Sequence, residues 1–234
     1  GPGQTLYQAI MGALGYQKNK LLFLELARRL PLHILESITR SKIPDEAKLV
    51  RLQTLLSETA GLLPPWHLFK VRPRNSPHLR LEAMSYLLLR YQEKGLLEEM
   101  VGLVKKVPLK GGHHQLETGF LITVDGRPLA SDKPSKNVTL LGSGRAADIV
   151  VNVLLPFTVA WGRFTGQSEL ERKAVDLYRN YPRLSPNSVE RHMASQLGLS
   201  SNLVNSAGRQ QGLIQIYKRL CTQGKCGCCR LSQP

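Results

Sequence analysis

The stretch Ser76-Pro77-His78-Leu79-Arg80-Leu81-Glu82-Ala83-Met84-Ser85-Tyr86-Leu87-Leu88-Leu89-Arg90-Tyr91 is a helix with its start signal attached. Serine followed by proline marks a cap and a first helical position, where the missing proline N–H removes no intrahelical bond. From Leu79 to Tyr91 apolar residues fall on nearly every side, which predicts a helix buried inside a bundle. The same period continues towards the N-terminus. Leu6 to Leu14 carries Leu6, Ile10, Ala13 and Leu14 on one stripe, with Gly15 as the stop. Lys18 to Leu30 repeats the pattern, with Arg28-Arg29 in the last turn, where the helix dipole favours cations. Pro31 opens a short helix through Ile38. Pro44 starts a longer one, with Asp45 and Glu46 in its first turn, ending near Gly61.

Beyond Tyr91 the pattern changes. Lys105 to Lys136 is rich in turn residues, and Gly111-Gly112-His113-His114 reads as a solvated loop. Strands are expected at Phe120–Val124 and Arg127–Ala130 around an Asp125-Gly126 turn, with another candidate at Val138–Leu141. Helices resume at Ala146–Trp161, bent or broken by Pro156, and at Leu170–Tyr178. A helix capped by Ser185-Pro186 runs to Leu197 before Gly198, and the last spans about Asn202 to Leu220. Its Ala207, Gly208 and Gly212 would let another helix approach. The fold class is therefore mainly α: a multi-helical bundle with a small β-hairpin or loop insert and a Cys-rich C-terminal hook. The expected parts are an N-terminal helical half (1–104), a loop-rich segment (105–140), a C-terminal helical half (141–220) and the Cys-rich tail (221–234).

Composition narrows the function classes. With 42% hydrophobic and 21% charged residues, the 234-residue chain is globular in type. The apolar run Ile149 to Gly162 is uncharged for only 14 residues and contains Pro156, so the sequence predicts no membrane span and a cytoplasmic protein. The opening Gly1-Pro2-Gly3 without an initiator Met reads as a piece of a longer protein. The net charge of +15 is shared between the halves, eight up to residue 110 and seven after it. Such a field attracts polyanions, nucleic acid before anionic membrane. The competing readings are an inert basic surface and a docking face for an acidic partner.

Several stretches carry a family resemblance: Met11-Gly12-Ala13-Leu14-Gly15-Tyr16, Ala60-Gly61-Leu62-Leu63-Pro64, Val71-Arg72-Pro73-Arg74-Asn75-Ser76-Pro77 with Arg80, Leu141-Gly142 through Ala147-Asp148 to Pro156, and Gln210-Gln211-Gly212-Leu213-Ile214 with Tyr217. Together they resemble an uncharacterised bacterial domain-of-unknown-function family. The resemblance implies a further N-terminal half with GPDF-like and GDVEIH-like motifs, similar to a metal-dependent nuclease core. No such motif stands in this chain, so the resemblance transfers no catalytic residue, and the chain is similar to the C-terminal helical half.

The candidate sites are basic and thiol-rich. Lys70, Arg72, Arg74, His78 and Arg80 gather cations at a helix start, where they are costly unless a phosphate joins the backbone N–H groups and the Arg forks. The alternative pairs Arg72 and Arg80 with carboxylates such as Glu58 or Glu82. Arg145 lies in Leu141-Gly142-Ser143-Gly144-Arg145, a Gly-x-Gly turn without the strand–helix–strand context of a dinucleotide site, and Asp148 is expected to contact it or a first-turn N–H. Ala194, Gly198 and Val204 have helix-turn-helix spacing that would present Ser200, Ser201, Asn202, Asn205 and Arg209 to a groove. The same spacing occurs in plain bundle packing.

The cysteines are the most specific chemistry. Cys221, Cys226, Cys228 and Cys229 crowd into nine residues, with no other cysteine in the chain. The Cys-x4-Cys-x2-Cys spacing supplies three soft ligands, and Lys218, Arg219, Lys225 and Arg230 add positive potential beside them. Zinc is the default occupant, with Cys228 or His192 as fourth ligand, and an iron–sulfur cluster is the alternative. A frayed tail of thiols and a disulfide framework are the competing readings. The expected role is a nucleic-acid-contacting accessory half of a larger, nuclease-like protein. The alternative is a structural or interaction module docked on an acidic partner or on the N-terminal half of the same protein.

Overall fold

The computed structural model describes residues 1–68, 76–123, 139–200 and 202–229, except the side chain of Cys228. Lys70, Arg72, Arg74, the Asp125-Gly126 turn and the strand expected at Arg127–Ala130 lie outside the described residues. The chain is mainly α. In order it forms α1 (Pro2–Leu14), α2 (Tyr16–Arg29), α3 (Leu32–Thr39), α4 (Asp45–Gly61), α5 (Pro77–Arg90), α6 (Leu96–Lys106) and α7 (Gly112–Phe120). A two-stranded antiparallel ribbon follows, β1 (Ile122–Thr123) against β2 (Thr139–Leu141). Then come α8 (Ser143–Ile149), α9 (Leu155–Phe164), α10 (Ser168–Arg179), α11 (Ser188–Gln196) and α12 (Ala207–Arg219).

One hydrophobic core runs from Leu6 on α1 to Ala207 on α12, so the two helical halves share an interior. Helix α5 lies deep within it: Leu81, Met84, Leu87 and Leu88 are buried, as its near-continuous apolar surface requires. Polar side chains tie the outer helices down. The Gln4 amide donates to the carbonyl of Ala27 and accepts from the N–H of Leu32, joining α1, α2 and the start of α3. Asn19, buried on α2, makes a reciprocal pair with the backbone of His67. Gly15 stops α1 at Leu14 as expected, but the left-handed corner falls one residue later. Gly15 keeps a right-handed φ of −69°, and Tyr16 takes the positive φ of 53° instead.

Other expectations change in the structure. Gly111 turns left-handed and starts α7, so His113 and His114 occupy a first helical turn and not a loop. Phe120 closes that helix, so the strand starts after it, and among the described residues Ile122–Thr123 pairs with 139–141. Of the two outcomes expected at Pro156, a break does not occur, and the helix is distorted instead. The five residues Val150–Leu154 widen to a π turn, which relieves the clash of the proline ring with the upstream carbonyl. The helical run Ser143–Phe164 is long and apolar enough to cross a membrane by length and composition, and 44% of its apolar 18-residue window is buried in the fold. Finally, Asn187 caps α11 in place of Ser185, accepting from the N–H of Glu190.

The C-terminal pair α11–α12 has its own small core of Met193, Val204 and Leu213. Gly198, at φ +60°, permits the turn that ends α11, and the N–H of Leu199 reaches back to the carbonyl of Ala194. Helix α12 begins at Ala207, five residues later than expected, capped by Ser206. The connection is too long for a helix-turn-helix, and Asn202 and Asn205 precede the second helix. Gly212 faces open space, whereas Gly208 does lie against Tyr178 of α10.

Candidate functional site

Three motif stretches meet at one buried cluster. Arg80, on the first turns of α5, is only 4% exposed and points inward. One of its terminal nitrogens donates to the carbonyl of Leu140 on β2, and the other donates to the Tyr16 hydroxyl at 2.8 Å. Burial lowers the Arg80 pKa, against the stabilising influence of Tyr16. Arg145 lies over the ring of Tyr16, 3.4 Å from its centroid, and pairs with Asp148 at 3.3 Å. Burial raises the Asp148 pKa, and the Arg145 charge opposes that rise. Two guanidinium groups thus hold the left-handed Tyr16 corner against β2 and α8. Neither Glu58 nor Glu82 takes part in the interactions described for Arg80. Arg80 is buried in this cluster and Arg145 half-buried, while His78 is exposed on the first turn of α5.

Beside α8 opens a polar cleft of about 260 Å³ lined by His113, His114, Glu117, Ser143, Tyr181 and Arg183. Tyr181 is 2% exposed and donates to Glu117 at 2.6 Å. Burial, reinforced by that carboxylate, raises the Tyr181 pKa and keeps the phenol protonated. The His113 ring meets Tyr181 edge-on at 5.7 Å. Burial, then the neighbouring His114, lowers its pKa from 6.5. Because the folded protein binds the His113 proton less tightly than the unfolded chain, stability is complete above pH 6.5. It falls as the pH drops through the interval down to the folded value. Proton NMR titration should place His113 below 6.5, and His113→Gln should flatten the loss of stability across that interval. This cleft is absent from the sequence reading because the Gly-Gly pair hides the helix that presents both histidines.

The third locus is the C-terminal module. Its docking depends on Gln210, 1% exposed, from the Gln210-Gln211-Gly212 stretch. The Gln210 amide donates to the carbonyls of Leu184 and Ser185 and to Glu190, and accepts from the N–H of Leu184. Glu190, also 1% exposed, takes the Arg183 guanidinium, with Nε at 2.9 Å. Arg209 is exposed at the start of α12, one arm donating to the Leu203 carbonyl at 2.9 Å. After α12 the chain makes two single 3₁₀ turns, Cys221–Gln223 and Cys226–Cys228. Cys221, Cys226 and Cys229 line one cleft of about 340 Å³ with Met193, Leu197 and Leu220. His192, a candidate fourth ligand, instead packs edge-on against Tyr217. Among the described residues no three His, Cys, Asp or Glu side chains are grouped as a metal site.

Among known families, the one described as Protein of unknown function (DUF2851) matches residues 62–186, just over half of the chain. No curated protein and no solved structure matches.

Proposed function

The chain belongs to the DUF2851 family, of unknown function, and from its own residues we propose that it contacts nucleic acid through backbone phosphates, chiefly with the module of α11, α12 and the hook. One observation carries this reading. From Tyr181 onward the sequence holds seven Lys and Arg against a single carboxylate, Glu190. That carboxylate is buried and already engaged by Arg183. Arg191, Arg209, Lys218, Arg219 and Lys225 of the same module are exposed. A small surface with this imbalance is neutralised most fully by a polyanion, whose condensed counterions are released on binding. The long α11–α12 connection favours phosphate contact over base readout, since it does not present a recognition helix in the usual way.

The test is binding of the full chain to random-sequence duplex DNA and to single-stranded RNA. The triple variant Lys218→Ala/Arg219→Ala/Lys225→Ala should weaken binding by about tenfold or more at low salt with unchanged thermal stability. Equal binding by the variant would remove the module from the function. A second reading, docking of a protein partner, is favoured by the exposure of Phe164 (82%), Leu21 (79%) and Leu62 (75%). On that reading Phe164→Lys or Leu62→Lys weakens partner capture, and neither nucleic acid binds.

A further inference from the structure

We propose that the hook cleft is a soft-metal site in which Cys221, Cys226 and Cys229 are the protein ligands. The argument starts from placement. Three thiols from a nine-residue segment line the same cleft, although the segment could have frayed into solvent. Cys229 is 8% exposed, whereas Cys226 three residues before it is exposed. Met193, from α11, brings its thioether sulfur to 3.9 Å from the Cys221 sulfur, so the cleft wall is itself sulfur-rich.

The backbone is arranged to return the chain to one point. The N–H of Lys225 donates to the carbonyl of Leu220, and that of Cys229 to Cys226. Between them Gly224, at φ +64°, makes the left-handed turn that a residue with a Cβ adopts at a cost. The result is a compact knuckle with cysteines on both sides of the reversal.

Donor chemistry then selects the ligand class. Thiolates suit zinc and iron–sulfur centres rather than hard cations such as magnesium or calcium. Three thiolates on a divalent ion leave a net negative centre, and the exposed Lys218, Arg219 and Lys225 offset that charge. The ligands are not grouped for coordination as they stand. Helix α12, which precedes the hook, is anchored through Gln210 and the Met193–Leu213 core, so the adjustment falls on the hook rather than on the helix. Bound metal would therefore order the hook as it assembles the site. The hook also belongs to the proposed nucleic-acid module, but metal content is read without nucleic acid, so the two readings fail separately.

The experiment is metal and sulfide analysis of the full chain purified without oxygen, with a visible spectrum, followed by Co²⁺ titration of the metal-free protein. One zinc per chain without colour, or iron with acid-labile sulfide and visible absorption, is the expected result, and the two outcomes distinguish the centres. Co²⁺ should give the thiolate charge-transfer band. Cys221→Ser, Cys226→Ser and Cys229→Ser should each lower bound metal at least about tenfold. The Co²⁺ titration needs no variant, so a misfolded substitution does not rescue the proposal. Metal well below one equivalent with no Co²⁺–thiolate band would overturn it, as would full retention of metal in all three serine variants.

Discussion

Arg80→Ala should lower the global stability of the protein by about 3–4 kcal/mol, one of the two largest single-residue effects expected. The side chain is 4% exposed, and its two terminal nitrogens serve the Leu140 carbonyl and the Tyr16 hydroxyl. Truncation removes two charge-assisted bonds, each contributing roughly 1.5–3 kcal/mol, and leaves a strand carbonyl buried without that donor. It also opens a void between α5 and β2, which adds a cavity cost. Partly offsetting these losses, the desolvation that burial imposes on the guanidinium disappears. The net effect corresponds to a fall in melting temperature of roughly 6–16 °C for a chain of this size. Arg80→Lys should not restore stability, because one ammonium cannot present the two-armed geometry that reaches both acceptors. A melting temperature within about 2 °C of the parent would show that Arg80 does not hold the Tyr16 corner.

Glu190→Ala should act as strongly but locally. Glu190 is 1% exposed and joins Arg183 to Gln210, which also clasps the backbone of Leu184 and Ser185. Without the carboxylate the Gln210 amide loses a charged acceptor and Arg183 loses its counter-ion, for a total of about 3 kcal/mol. The α11–α12 pair has its own small core, so the loss falls on its attachment to the body rather than on the whole fold. The open form should rise roughly a hundredfold, and limited proteolysis between Tyr181 and Ser188 should accelerate accordingly. Gln210→Ala should give a similar phenotype, and the double variant should be far from additive. Cleavage at the parent rate would mean that the module is held by other contacts.

These two sites also mark where the sequence stops being legible. The helices α1 to α5 follow from apolar spacing, because each needs only a stripe and a local stop, and the mainly α architecture follows with them. What spacing cannot carry is convergence across the chain. Tyr16, Arg80 and Arg145 are brought together across 64 and 65 intervening steps, and nothing local to Arg80 distinguishes an inward guanidinium from a phosphate-facing one. The same holds for Glu117 and Tyr181, hydrogen-bonded across 64 residues. Helix α7 was concealed for a different reason. Its start is a pair of glycines, one left-handed and one helical, where residue type alone predicts a loop. The start of α12 was misplaced because Asn202 to Asn205 continue a helical-looking spacing that the Ser206 cap cuts off. The charge excess was legible as a total. That the single acid of the C-terminal module is already taken emerges only once Glu190 is seen to be engaged from within.

The most direct test of the proposed role is the equilibrium binding constant of the full chain for random-sequence duplex DNA across a series of salt concentrations. If about four or five exposed cations of the module meet phosphates, the plot of log K against log salt should be linear with a slope of about −4, and each neutralised Lys or Arg should reduce it by about one. A slope near zero, or no binding at low salt, would contradict the claim that this surface is built to meet phosphates.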